Sequence, residues 1–589
     1  ARFHSVLCLD ACFEQQRCKG AGLQDIALDL PWTCFLSPTG VEKARLYVES
    51  LRPSKGKKLP LELNELNEGD RVEPGLYLPN SVVNGCETSF KAANENHEKA
   101  STMAFASTGL MAVICRHDRV LRMVNMTTMG EKQYYAVALL SSLFEELPSW
   151  WRLGVLYDIA CVLHRSMSKW KILPSLLPRI DWGISVFHAF GHQWPCQCMY
   201  HPQKCKGFGF SDGEGCERCL GALKKLAPHH RRLFVLSTQV IHWDEATAQS
   251  QATWLMKHYV RTMVRLEAAR ERIGECGLSI PTLQAGWRDQ LETQSKPLPV
   301  VAKNLAGSFV NNIVSMLATH ADEEAGHKNL LKEISKLGED GTSADVKFDL
   351  TLQAQNWQDY LNRACQQLAQ KDQPTYSALE KARKDKFLGL CLRAHAVKHR
   401  LRTRIQEHCF ESEHLEWSYF RSTLGKNHQA HAQTAEALKR RLPGIKALAR
   451  RYNGFCAQLS DMKAQSPIHK NAVIPKPVDI NGLFDIGVDD AIWDNAGLDG
   501  DVEETPPAWL ADEKTREGIK AMLMYDQGKE EISQLNIEMQ ALFASLTEQY
   551  LAIEKAVAKC TGESFIVIAR LTVLSADTGT YTFRCCPLI

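Results

Sequence analysis

The sequence predicts an α/β domain, a mixed five-stranded sheet with flanking helices, followed by a large, mainly α-helical C-terminal region. Two observations predict it. Apolar runs of strand length recur through the first third of the chain, broken by one clear helical stretch. Residues 240–460 carry helical periodicity instead. The 589-residue chain is too long for one hydrophobic core, so several domains are expected.

Residues 5–13, SVLCLDACF, read as the first strand, with one acid near its middle. From about 20 to 100 the chain is punctuated by Pro31, Pro38, Pro53, Pro60, Pro74 and Pro79 and holds the basic stretch RPSKGKKLP, which predicts an irregular insertion. TGLMAVICRH (108–117) and VLRMVNMT (120–127) read as two strands joined at Asp118 and Arg119. Residues 131–147 have helical spacing, with Tyr135, Leu139, Leu143 and Leu147 on one face. WRLGVLYDIACVL (151–163) begins as a buried strand that ends at Asp158, and WGISVFHAF (182–190) is another strand candidate. A Cys/His-rich, Gly-rich segment follows, and a helix starts near Glu214. Strand, insertion, two strands, helix, strand, strand, helix is the element order of an RNase H-like sheet, with three antiparallel strands and two added in parallel.

Residues 1–235 are therefore read as the α/β core, with the insertion at about 20–100 and the Cys/His segment at 188–219. Residues 236–470 are read as a helical domain. Within it, 434–459 is amphipathic: Leu438, Leu442, Ile445, Leu448 and Tyr452 form one stripe. An acidic linker is expected over 471–511. A helix with a short coiled coil is expected over 512–560, where Ile532, Leu535, Met539, Leu542 and Leu546 alternate at three and four. Residues 561–589 form an atypical tail.

The apolar share is 44% and the charged share 23%, ordinary for a globular protein. No run of roughly 18 or more apolar residues occurs, so no membrane span is expected. The N-terminus lacks the pattern of a secretory signal. The 20 cysteines are then expected as thiols or metal ligands. A net charge of +2 leaves DNA contact to local basic surfaces.

An acid inside an apolar strand is costly to bury unless something compensates it, so it marks a candidate metal ligand. Phosphoryl transfer on DNA needs the attacking and leaving oxygens stabilised together, which two divalent ions held by carboxylates can do. Magnesium prefers oxygen ligands and keeps several waters, so two or three acids suffice. Asp10 in LCLDACF and Asp158 in VLYDIAC fit. Glu214 and Glu217 in SDGEGCER are three apart and share a face once the helix has begun. The bland alternatives are turn or cap residues for the aspartates and a surface ion pair with Arg218 for Glu217.

His188, His192, Cys196, Cys198, His201, Cys205, Cys216 and Cys219 crowd one segment. Zinc takes four such ligands, usually as close pairs, though this spacing is not that of a standard finger. The alternative is thiols packed as small hydrophobes, with His188 and His192 supporting an active site. Arg116 and His117 end a core strand; a place near DNA phosphate and a structural ion pair with Asp118 or Glu131 are both open. Arg231, Arg232, Arg440, Arg441, Arg450 and Arg451 are candidate phosphate contacts or, equally, solvated faces.

The runs LCLDACFEQQR, GLMAVICRHD, MGEKQYY, VLYDIAC, FHAFGHQWPCQ and YHPQKCKGFGFSDGEGCER, in this order, strongly resemble the fungal Kyakuja–Dileera–Zisupton transposases. FHAFGH together with SDGEGCER is very specific. PPAWLADEKTREGIKAML resembles a C-terminal motif of the same proteins. The resemblance covers roughly 1–270 closely and 430–545 more loosely. It implies an RNase H-fold DDE nuclease core with Asp10, Asp158 and Glu217 as the acids, Glu214 being the close alternative to the third. It also implies Mg²⁺ or Mn²⁺ as cofactor, double-stranded DNA as partner, a homodimer or higher oligomer, and the nucleus as location. Two departures stand out. Ala106 and Ser107 occupy a place where the family usually has an acid, and Cys219 and Leu220 one where it usually has an aromatic pair. They keep open a second reading, a decayed or domesticated DNA-binding derivative.

Overall fold

The computed structural model describes residues 3–13, 17–18, 34–52, 72–94, 105–128, 130–223, 233–295, 366, 385–419, 428–465, 472–484, 492 and 507–558. The chain divides into two compact units. One comprises Ala1–Lys296 and Glu513–Ile589, the other Pro297–Asp512.

The first unit is built on a mixed five-stranded sheet. Its strands are β1 (Ser5–Cys12), β4 (Gly109–Cys115), β5 (Val120–Met126), β6 (Leu153–Tyr157) and β7 (Ile180–Gly183), in the order β5-β4-β1-β6-β7. A separate small ladder joins β2 (Arg17–Cys18) to β3 (Phe105–Ser107). β1, β4 and β5 run antiparallel, while β6 and β7 continue from β1 in parallel. The two strands that flank β1, β4 and β6, are covered on both faces: all seven residues of β4 and all five of β6 are buried.

Side chains alternate across a strand, so register decides which residues share a face. Cys8 pairs with Leu156, and Asp10 with Ala112. One face therefore carries Val6, Cys8 and Asp10 of β1, Leu110, Ala112 and Ile114 of β4, and Leu156 of β6. Helix α6 (Gly215–Leu223) covers the β1–β4 part of it, with Cys216, Cys219, Leu220 and Leu223 buried against Cys8, Leu110, Ala112 and Ile114, while Val6 and Leu156 pack with Phe3 and Phe208. Around the sheet lie α3 (Gln133–Glu146) beside β4 and β5, and α4 (Ala160–Lys169) beside β6 and β7. Tyr135, Leu139, Leu143 and Leu147 are buried, as their spacing predicts.

Two stretches differ from the sequence reading. The stretch read as irregular contains α1 (Pro38–Leu51) and α2 (Asn80–Asn94). Proline misled there: Pro38 sits in the first turn of α1, where its missing N–H costs nothing, behind the Ser37 cap. The last strand is earlier and shorter than 182–190. It stops at Gly183, where pairing with β6 ends, and residues His188–Gly191 form a 3₁₀ turn. The candidate coiled coil lies in α12 (Glu513–Ala558), which packs along α7 (Leu233–Cys276) and α8 (Ile280–Ser295) of its own unit. Leu535 is wholly buried there.

In the second unit α9 (Lys386–Tyr419) packs on α10 (His428–Gln465), and a short α11 (Ala508–Ala511) follows. Ile445 and Tyr452 of the predicted stripe are buried, Leu442 and Leu448 are half-buried, and Lys439, Arg440 and Arg450 are exposed. The amide of Asn453 exchanges two hydrogen bonds of 2.8 Å with the backbone of Val478, pinning the chain that follows onto α10. The 561–589 tail and most of the acidic stretch lie outside the described residues.

Candidate active site

Leu9 pairs with Tyr157 across the parallel β1–β6 ladder, so the next residues, Asp10 and Asp158, stand side by side where that ladder ends. Period-two alternation points both toward the face that α6 covers. The glycine turn before α6 brings the glutamates to them. Gly213 has φ +84°, and a Cβ there would come within 2.9 Å of Ser185 Oγ, so only glycine lets the turn pass this close to the end of β7. Arg218 fixes the helix from its other side through two 2.7 Å bonds to Asp118 and one to Asp212.

His188, on the 3₁₀ turn, bridges the acids. Its Nδ1 lies 3.3 Å from Asp158 Oδ2 and its Nε2 lies 3.2 Å from Glu217 Oε1. Ser185 donates to Asp158 Oδ1 at 3.2 Å, and Glu214 Oε1 accepts the Phe187 N–H at 3.1 Å. Glu131, just before α3, accepts from the Tyr157 hydroxyl and completes the cluster. It stands in the MGEKQYY motif, but no spacing in the sequence marks it as a site residue.

Burial, with like charges close by, shifts the proton affinities of Asp10, Asp158, Glu131 and Glu214 upward. Burial, then the charges of Asp158, Glu217 and Glu131, holds Asp10 well above the usual carboxyl range. Burial raises Asp158, with the His188 charge opposing. Burial lifts Glu131 to about 7 and Glu214 to about 8. His188 goes the other way. Burial disfavours its charged form, but Asp158 and Glu217 outweigh that and raise it to about 10. Glu214 and Glu217 each bring a carboxylate oxygen within 4.8 Å of a His188 nitrogen and of one another, and Glu217 is among the charges that raise Asp10.

A second cluster lies behind the first. Cys86 of α2, Cys161 of α4, His192 and Cys196 are all buried, with one ligand atom each within 4.8 Å of the others, a set that can hold a structural metal such as zinc. His192 and Cys196 come from the predicted Cys/His segment. Cys86 and Cys161 were missed, because ligands this far apart in sequence form no close pair. The rest of the segment does other work. Cys216 and Cys219 pack in the core under the sheet. Cys205 Sγ donates to the Met199 carbonyl at 2.9 Å, His201 Nδ1 accepts the Gln203 N–H at 3.1 Å, and Cys198 is buried.

Arg116 and His117 require a correction. Their side chains are 5% exposed and held by α12: Arg116 pairs with Glu531 and Glu538, and His117 Nε2 lies 3.1 Å from Glu538. Phosphate cannot reach them. The ion-pair reading holds, with partners other than Asp118 or Glu131. Arg231 and Arg232 lie outside the described residues. Arg440, Arg441 and Arg450 are exposed on α10, and Arg451 lies over the Phe455 ring at 5.8 Å.

Residues 3–244 match the Kyakuja-Dileera-Zisupton transposase family model. The match contains both clusters and agrees with the resemblance read from the motifs. A transposase has a nuclease and transferase kind of activity, and its partner is DNA. No curated protein and no solved structure matches the chain. Among the described residues no helix is long and apolar enough to cross a membrane.

Proposed function

We propose that the acid cluster is the catalytic centre of a DDE transposase, which hydrolyses phosphodiesters at transposon ends and joins them to target DNA. The observation that carries this reading is the adjacency of Asp10 and Asp158 on neighbouring parallel strands, with Glu217 brought over them by α6. The antiparallel–parallel strand order with acids where the β1–β6 ladder ends also supports an RNase H-like assignment.

The residues fit divalent cations. Their donors are carboxylate oxygens, which suit Mg²⁺ or Mn²⁺. Their mutual repulsion calls for positive charge that His188 supplies only in part. Asp10, Asp158 and Glu217 would hold the ions, with Glu214 next to them. Such ions, when bound, stabilise charge on the attacking and leaving oxygens of a phosphodiester. Ser185 and His188 orient the Asp158 carboxylate. His188 also ties Glu217 to it and keeps a proton beside both acids. The exposed Arg440, Arg441 and Arg450 would give salt-dependent, sequence-independent contacts to double-stranded DNA, and a nuclear location follows from that substrate. Phe543, Leu546, Tyr550 and Leu551, exposed on the last turns of α12, support pairing of two protomers, since two transposon ends must be cut.

The test compares the full chain with its Asp158→Asn variant for nicking of supercoiled DNA in Mg²⁺ or Mn²⁺. A loss of at least tenfold is expected. Equal nicking by the two proteins overturns the assignment. A parent that binds DNA without nicking it points to the decayed derivative.

A further inference from the structure

We propose that Cys86, Cys161, His192 and Cys196 form a structural zinc site that locks the insertion helix α2 to the chain segment bearing Asp158. Three thiols and one imidazole are a recognised structural zinc set. Geometry supports it beyond composition. With Zn–S near 2.3 Å and Zn–N near 2.0–2.1 Å, a tetrahedron separates nitrogen from sulfur by about 3.5 Å. His192 Nδ1 lies 3.5 Å from Cys161 Sγ and 3.4 Å from Cys196 Sγ.

The ring is also oriented for ligation. His192 Nε2 lies 2.7 Å from the backbone oxygen of Asp158. A carbonyl can only accept, so Nε2 carries the proton and Nδ1 turns its lone pair to the thiols. Metal-ligating histidines are typically oriented in this way, by a carbonyl or carboxylate on the far nitrogen. Cys86 Sγ in turn accepts the Gln193 N–H at 3.4 Å, as a thiolate ligand does. The cluster is wholly buried, which excludes the water that a catalytic zinc keeps.

The position explains what such a site is for. Cys161 follows Asp158 by three residues, and His192 follows His188 by four. Zinc would join these segments to α2, which otherwise touches the core through α4, α5 (Trp194–Tyr200) and the 3₁₀ turn. His192 would then be a positioning residue for the backbone of Asp158. The proposal does not rest on the strand-cleavage reading, since zinc content is measured without DNA.

The experiment is metal analysis of the full chain purified without chelator, with the variants Cys161→Ser and Cys198→Ser. About one zinc per chain is expected in the parent and in Cys198→Ser, whose thiol lies outside the cluster, and at least a fivefold loss in Cys161→Ser. Cobalt exchanged into the parent covers the case in which Cys161→Ser does not fold. Intense d–d bands of a tetrahedral ion with thiolate charge-transfer absorption are expected. Zinc far below one per chain in the folded parent, full zinc in Cys161→Ser, an octahedral cobalt spectrum, or a disulfide within the cluster overturns the proposal.

Discussion

His188 Nδ1 stands 3.3 Å from Asp158 Oδ2, which places an imidazolium inside a cage of acids. The ring carries the positive charge that the carboxylates need, and they raise its proton affinity to about 10. Burial, reinforced by the neighbouring acids, raises the proton affinity of Glu131 and Glu214, to about 7 and about 8. All three groups bind protons more tightly folded than unfolded. Such groups contribute stability that is present at low pH and lost as pH rises. For the glutamates the loss runs from about 4.5 to about 8, and for His188 from about 6.5 to about 10. The metal-free protein is therefore expected to melt at a lower temperature at pH 9 than at pH 6. Melting in chelator across that range checks it; a flat or rising profile contradicts the electrostatic picture.

Divalent ions should reverse that trend. Binding must displace the protons that Glu131 and Glu214 hold near neutral pH, so affinity should rise with pH and protons should be released. Calorimetric titration with Mg²⁺ in buffers of different ionisation enthalpy measures the release directly. More protons are expected per ion at pH 7 than at pH 9. Absence of release at pH 7 would mean that the ion binds away from this cluster.

Much of the fold and the acids was legible from pattern alone. Asp10 and Asp158 are visible because each interrupts or ends an apolar strand, and burying an acid there needs a compensating partner. Glu131 was not, because a glutamate in a loop before a helix looks the same whether it faces solvent or Tyr157. Cys86 and Cys161 join through tertiary approach, and no local spacing records that. The Arg116 partner is 415 residues away, at Glu531, beyond the reach of any motif. The prolines of the insertion were read as breakers, although Pro38 opens a helix.

Glu131→Gln separates charge from shape. The amide can still accept from the Tyr157 hydroxyl but no longer repels Asp158. Above pH 7 the metal-free variant is expected to be more stable than the parent, on the order of 1–2 kcal/mol after allowing for partial exposure. At pH 5, where Glu131 is protonated in the parent, the gain should vanish. Denaturant titration at the two pH values checks this. An equal effect at both would assign it to packing instead of charge.

Helix α12 should be inseparable from the sheet domain, although its sequence lies beyond the family match. Glu531 is wholly buried against Arg116, and its Oε2 accepts the Phe210 N–H at 2.9 Å. Glu530 accepts the Gly207 N–H at 2.6 Å, and Gln527 donates to the Cys205 carbonyl at 2.8 Å. The GFGF loop thus wraps the helix. Gly209, at φ +55°, leaves room where a Cβ would sit 2.2 Å from Glu531 Oε2. Removing one partner of a buried pair leaves an uncompensated charge and costs about 3–5 kcal/mol. Glu531→Ala should approach that loss, since it strips Arg116 of its closer carboxylate and the Phe210 N–H of its acceptor, leaving Arg116 with Glu538 at 3.5 Å. Gly209→Ala should also destabilise, because the added methyl strains the left-handed turn and displaces the carboxylate together. Chemical denaturation measures both. If either variant matched the parent, the packing of α12 on the loop would not hold in solution.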